Sequence, residues 1–357
     1  MQPATKVSRE NSFDSLRLIF ASLVIVTHSF ALLRLADPLE VLSNFRYDLG
    51  KLGVTGFFAI SGYLVTQSWL RRPSMLRFLS ARALRILPAF WVSLGFSVFI
   101  TALVTAHVSE FLSSNITWRW VWWNAIFIWR GYAPLMPGAF ENNPFAGGSN
   151  GSLWTLTYEL HCYGAVLLIG IGTLVIRHRW IWAVVAAVLL FFYFKLIVNG
   201  GSLYQLGYQE LYLAFATGMV IASLGYCAAA YLILCAGAVA AFFQLTSNLD
   251  SHTWYASLQM TLAMLIVFLG RSKAFTRLTF RSGDYSYGLY VYAFPIQQLV
   301  IALLGKSATP LFVCLLTLAF VLPVAVASWH ILEKQALKVL NLIDTLWASR
   351  SASPQNV

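Results

Sequence analysis

The stretch FDSLRLIFASLVIVTHSF, residues 13–30, sets an arginine and a histidine in an otherwise apolar run. Arg17 and His28 are eleven positions apart, which at about 100° per residue is some 20° beyond three turns, so one helix face carries both with a rise of about 16 Å between them. Counted from Phe13 at about 1.5 Å per residue, His28 lies past the midplane of a bilayer and Arg17 near one entry. Each has a plainer reading. Arg17 also suits snorkelling to lipid headgroups, paired with Asp14, and a neutral histidine can be satisfied by a neighbouring helix. Against this, an intramembrane ionisable group marks a functional site by default. Histidine is also the usual general base for a hydroxyl near neutral pH.

Arg82 and Arg85, in FLSARALRILPAF, are three apart and share a helix face. Guanidinium forks match phosphate geometry, although topology determination with lipid-phosphate contact would use the same residues. In GSLWTLTYELHCYG, Glu159 is an acid inside an apolar helix, a costly placement. His161 falls about 200° around the helix and faces elsewhere, whereas Tyr163 shares the Glu159 face. Glu159 suits a structural bond between helices as well as a direct chemical part. The small residues Gly53, Gly56, Ser61 and Gly62 permit close helix packing or close backbone approach by a ligand.

The elements that must position these residues are membrane helices. The 357-residue chain is 59% hydrophobic and 10% charged, against about 25% charged in a soluble domain. The fold class is all-α, a polytopic bundle. At roughly 20 apolar residues per span, ten segments qualify, near 13–35, 52–70, 86–107, 152–175, 180–198, 208–224, 227–244, 254–270, 285–304 and 309–332. The first, preceded by Lys6 and Arg9, reads as a retained helix, being longer than a signal-peptide core. With both termini cytoplasmic, the basic connections RRPSMLRFLSARALR, RHR and RSKAFTRLTFR fall inside, so about 17 of the 24 basic residues do. The net charge of +11 is therefore mainly an orientation signal and not a nucleic-acid footprint.

WRWVWWNAIFIW, residues 118–129, is short for a span and reads as an interfacial or re-entrant helix. Its tryptophans suit an interfacial belt or stacking on a sugar. The turn-rich outward loop GYAPLMPGAFENNPFAGGSNGS follows. Cys162, Cys227, Cys235 and Cys314 all fall in spans, with no disulfide framework or metal spacing. Residues 1–345 form one domain, and 346–357 read as a disordered tail.

In order along the chain, FDSLRLIFASLVIVTHSF, GVTGFFAISGYL, FLSARALRILPAF, SLWTLTYELHCY, SYGLYVYAFPIQQ and ASWHILEKQALK resemble the motif blocks of acyltransferase family 3, the bacterial membrane O-acyltransferases. The resemblance implies about ten helices in the bacterial inner membrane. It also implies transfer of an acyl group, usually acetyl, from cytoplasmic acyl-CoA to a glycan hydroxyl outside, with acetyl-CoA as co-substrate and no bound cofactor or metal. It makes His28 the essential histidine with Arg17 its partner and Glu159 beside them, and gives Arg82 and Arg85 to the acyl donor. Ser61 and Gly62 go with the donor site, and Trp154 and Tyr163 with the substrate. Three positions depart from the pattern: Phe13 before the motif aspartate, Thr55 where many members have aspartate, and Leu160 in place of a second acid after Glu159. Some members carry a fused extracytoplasmic esterase-like domain; with none expected here, the chain itself would serve the final acceptor.

The implied chemistry is proton removal from a sugar hydroxyl by His28, with attack on the thioester; an acyl-histidine intermediate is the competing route. Backbone N–H groups near Ser61 and Gly62 are candidates for the oxyanion. A transporter or flippase is the rival function, but internal inverted repeats are not evident. A non-catalytic assembly partner is the third. The acceptor, the acyl group and the oligomeric state are not legible.

Overall fold

The computed structural model describes residues 12–176, 203–224, 251–272 and 283–340, with scattered positions between 182 and 195 and residue 342. The expected span near 227–244, most of that near 180–198, the RHR segment, most of RSKAFTRLTFR, Lys6, Arg9, Cys227, Cys235 and the tail lie outside the described residues.

The described elements are helical: α1 (Phe13–Ala31), α2 (Pro38–Leu42), α3 (Leu49–Arg71), α4 (Met75–Ala102), α5 (Val108–Ser113), α6 (Asn115–Phe127), α7 (Thr155–Ile176), α8 (Leu203–Leu224), α9 (Ser251–Arg271), α10 (Ser286–Leu304) and α11 (Pro310–Ser328). The sole β feature among the described residues is an isolated bridge between Leu135 and Gly148. Six described helices are long and apolar enough to cross a membrane: α1, α3, α4, α9 from Trp254, Ser286–Ser307, and Pro310–Leu340. Two further expected spans coincide with α7 and α8. The chain is thus a multi-pass helical membrane protein.

α4 starts at Met75, not near residue 86, so most of the expected basic loop is helical. Ser74 caps it, and Phe78, Ala81, Ile86 and Ala89 bury a stripe at helical spacing. Hydropathy marks only the apolar part of a helix, and this one continues beyond it with Arg82 and Arg85 set among the residues of that inward stripe. At its far end, α11 runs into a π-helical turn, Trp329–Glu333, which turns both of those residues toward α4. Such turns occur mostly inside α-helices and often at functional sites.

α10 is the central element, packed against α1, α4 and α11. It runs parallel to α1: Asp284 just ahead of it meets Arg17, and Phe294 meets His28. α3 runs antiparallel to α1, with Tyr63 against Phe13 at one end and Gly50 against Thr27 at the other. The molecule therefore has an arginine end and an opposite, loop end.

α3 and α8 touch backbone to backbone. A Cβ on Gly62 would collide with the Phe215 carbonyl, and one on Gly218 with that of Ala59. Gly62→Ala is expected to destabilise by about 1–3 kcal/mol, since backbone cannot yield as a side chain can. Thermal unfolding in detergent checks this; an unchanged midpoint would contradict the close approach.

Candidate active site

A cavity of about 1080 Å³ opens among α1, α3, α4, α7 and α10 at the arginine end. Its wall carries Arg17, Arg71, Arg72, Arg77, Arg82, Arg85 and Arg271 against three acids, Asp14, Glu159 and Asp284. This excess of guanidinium in a low-dielectric recess favours an anion. The volume is at the top of the range of about 300–1,000 Å³ usual for small-molecule sites.

Of the residues singled out in the sequence, the cavity gathers Arg17, Arg82, Arg85, Ser61, Glu159 and Tyr163. Helical spacing explains this. Arg82 and Arg85 are a turn apart on α4, as are Glu159 and Tyr163 on α7. Tyr163 donates a short hydrogen bond to Glu159, and Arg82 stands over the Tyr163 ring at 5.7 Å. His161 faces away as expected, bonded to the Tyr212 hydroxyl at 2.8 Å and the Trp129 carbonyl at 2.7 Å.

Gly62 is packed against α8 and is not on the wall. Ser61 and Gly62 lie inside the continuous helix α3, whose own bonds occupy their N–H groups, so these are not oxyanion donors. Trp154 sits at the loop end of α7, edge-to-face with Tyr158 at 5.7 Å, and is also off the wall. Trp118, Trp122, Trp123 and Trp129 are exposed around α6, whereas Trp120 is buried and donates to the Ala133 carbonyl at 2.7 Å.

His28 lies above the cavity and not in its wall. Its ring meets Phe294 edge-to-face at 5.1 Å. The inner end of the cavity is lined by Val54, Phe57, Thr155 and Tyr290. Tyr290 is four residues before Phe294, so the cavity stops about one helical turn, or ~6 Å, short of the histidine. Glu159 is at the arginine end, where its bond goes to Tyr163.

The backbone around His28 is held from both sides. Thr27 donates to Asp37 at 2.6 Å, and Asp37 also caps α2 and accepts from the Leu49 N–H. On the other side Gln297 of α10 donates to the Ile25 carbonyl and to Ser29. The turn-rich loop folds down over this end. Gln298 donates to the carbonyls of Phe145 and Gly148 and accepts from Asn143. Gln298→Ala takes the donor from the Phe145 and Gly148 carbonyls, at a cost of about 1–3 kcal/mol each where they stay buried, while Asn143 keeps its bond to the main-chain carbonyl of residue 298. The expected result is faster proteolytic cleavage between residues 131 and 154; an unchanged cleavage rate would contradict this anchoring role.

The sequence reading assigned no role to Asp284 or Glu333. Asp284 pairs with Arg85 through a short contact and with Arg17 at 3.7 Å, and accepts from Ser286. Glu333, brought round by the π-turn, lies 3.7 Å from Arg85. Burial alone would raise the Asp284 carboxyl, but Arg85 and then Arg17 outweigh it and hold it below the usual carboxylate range. Its stabilising contribution is therefore present at neutral pH and lost as pH falls through that lowered value. The only local signals were an acid at the threshold of a span and another inside an apolar helix; their shared partner is about 200 or more residues away in sequence.

A polytopic helical membrane protein with an arginine-lined cavity below an intramembrane histidine is the class this architecture defines. The family profile for an acyltransferase domain, acyltransferase family 3, matches residues 10–329, and the chain belongs to that family. It is similar to an O-acetyl transferase of Shigella phage Sf6, 28% identical over 342 residues, covering 92% of this chain and 96% of that protein. It is also similar to nodulation protein 10 of Rhizobium leguminosarum bv. viciae, 36% identical over 155 residues, 43% of this chain and 42% of that one. No solved structure matches the chain.

Proposed function

We propose that this membrane acyltransferase moves an acetyl group from cytoplasmic acetyl-CoA to a hydroxyl of a cell-envelope or exported glycan across the bacterial inner membrane. The observation that carries the reading is the convergence of arginines from α1, α3, α4 and α9 on one cavity, below His28 on the same face of α1 as Arg17. The arginine end faces the cytoplasm, both termini with it, as the positive-inside rule requires. The donor's phosphates lie among the arginines, and its narrow pantetheine arm points along α10 toward His28. The imidazole takes the proton of a sugar hydroxyl arriving from the loop end. The hydroxyl oxygen bonds to the acyl carbon, the thioester C–S bond breaks, and the proton passes to the departing thiolate. The family membership and the O-acetyl transferase relative support this reading.

Sealed vesicles of defined orientation test it. With labelled acetyl-CoA on the arginine side and envelope glycan on the other, free CoA and glycan-bound acetyl are expected together. Donor on the loop side is expected to give neither. Glycan transported without acetylation would instead establish the transporter reading.

A further inference from the structure

Arg82 and Arg85 share a helix face and a cavity, yet their surroundings differ. Arg85 faces a carboxylate on each side: Nη2 makes a short hydrogen bond to Asp284, and Nη1 forms a looser ion pair with Glu333 Oε2 at 3.7 Å. Its guanidinium also lies 5.9 Å from the rings of both Tyr287 and Trp329. The two carboxylates come from the threshold of α10 and from the π-turn after α11, so Arg85 ties α4 to both. Glu333 is 1% exposed and accepts from Ser328 on its other oxygen. Among the described residues Arg82 has no carboxylate partner. It rests on the Tyr163 ring, and its buried Nε has no hydrogen-bond partner among the described residues.

We propose that Asp284 and Glu333 are positioning residues that lock Arg85 into the helix junction, leaving Arg82 as the member of the pair that grips the phosphates of the acyl donor. This rests on the acyl-CoA reading above. A buried carboxylate deprived of its guanidinium is strongly destabilising, whereas replacing a whole buried ion cluster by neutral groups is often tolerated. An arginine that keeps unused donors facing an anion-attracting recess forms charge-assisted bonds only once the ligand arrives. Asp284 also lies 3.7 Å from Arg17, which has a second carboxylate, Asp14, at 3.9 Å and so keeps a partner without it.

The test uses the full chain purified in detergent, reading the thermal midpoint and the equilibrium affinity for CoA and for acetyl-pantetheine, which lacks the phosphates. Arg82→Ala is expected to keep the midpoint and weaken CoA binding about 10- to 150-fold, leaving acetyl-pantetheine binding unchanged. Arg85→Ala is expected to lower the midpoint by about 5 °C or more. Adding Asp284→Asn and Glu333→Gln to Arg85→Ala should restore the midpoint, with CoA affinity within about threefold of wild type. If the restored triple variant loses CoA as Arg82→Ala does, or if Arg82→Ala binds CoA normally, the division of labour is wrong. Wild-type protein that binds CoA no better than acetyl-pantetheine would overturn the acyl-CoA reading itself and this inference with it.

Discussion

Replacing His28 by alanine is expected to lower acyl transfer by roughly 10²- to 10⁴-fold, the usual contribution of a positioned general base, with the fold and the donor affinity intact. The expectation follows from where the ring sits. His28 is off the wall of the arginine cavity, so its loss removes nothing from the recess proposed to take the donor's phosphates. Its ring contact with Phe294 is edge-to-face, worth about 0.5–1.5 kcal/mol. The helix around it is fixed by Thr27 to Asp37 and by Gln297 to Ile25 and Ser29, not by the imidazole. Free CoA release and glycan-bound acetyl, measured at matched protein abundance, check the loss. Full activity in the variant would make the histidine structural. A short incubation with labelled acetyl-CoA and no glycan separates the two chemical routes: an acyl-histidine leaves label on the wild-type protein but not on the variant, and a general base leaves it on neither.

What the sequence made legible is what depends on short-range periodicity. The pairing of Arg82 with Arg85 on one face, the agreement of Glu159 with Tyr163, and the outward turn of His161 all follow from 3.6 residues per turn, and the geometry has them so. Most described span boundaries also came within a few residues of hydropathy. The start of α4 did not, because a helix persists past the hydrocarbon when capped and amphipathic. Nor were long-range partners readable. Nothing near Asp284 says that it will meet Arg17 and Arg85, and nothing near Glu333 says that a π-turn will deliver it to the same guanidinium. Gly62 shows the converse. Its smallness was visible, but that it admits the Phe215 carbonyl of α8 depends on which helix lies alongside.

Enlarging the inner end of the cavity wall should uncouple donor binding from transfer. Phe57 and Tyr290 meet edge-to-face at 5.4 Å where the cavity ends, one turn before Phe294 and His28. Neither ring is loose. The Tyr290 hydroxyl bonds with Thr155 at 2.6 Å and donates to the Ser152 carbonyl at 2.8 Å. Phe57 is backed by Phe20, whose own ring is seated so closely on Gly56 that a Cβ there would strike it. On the proposed route a thioester moving from the arginines to His28 passes these rings. Phe57→Trp adds a second ring at the inner end of the cavity, where Phe57 already meets Tyr290 and Phe20, and crowding of this kind costs about 1–3 kcal/mol. In the passage that penalty falls on the step that brings the thioester to the histidine, so transfer should fall about 10- to 100-fold, while CoA binding among the arginines stays within about threefold of wild type. Tyr290→Phe keeps the ring and removes both tethers; it should transfer at least as fast as wild type. Equal losses of binding and transfer in Phe57→Trp would mean that the donor reaches His28 by another path.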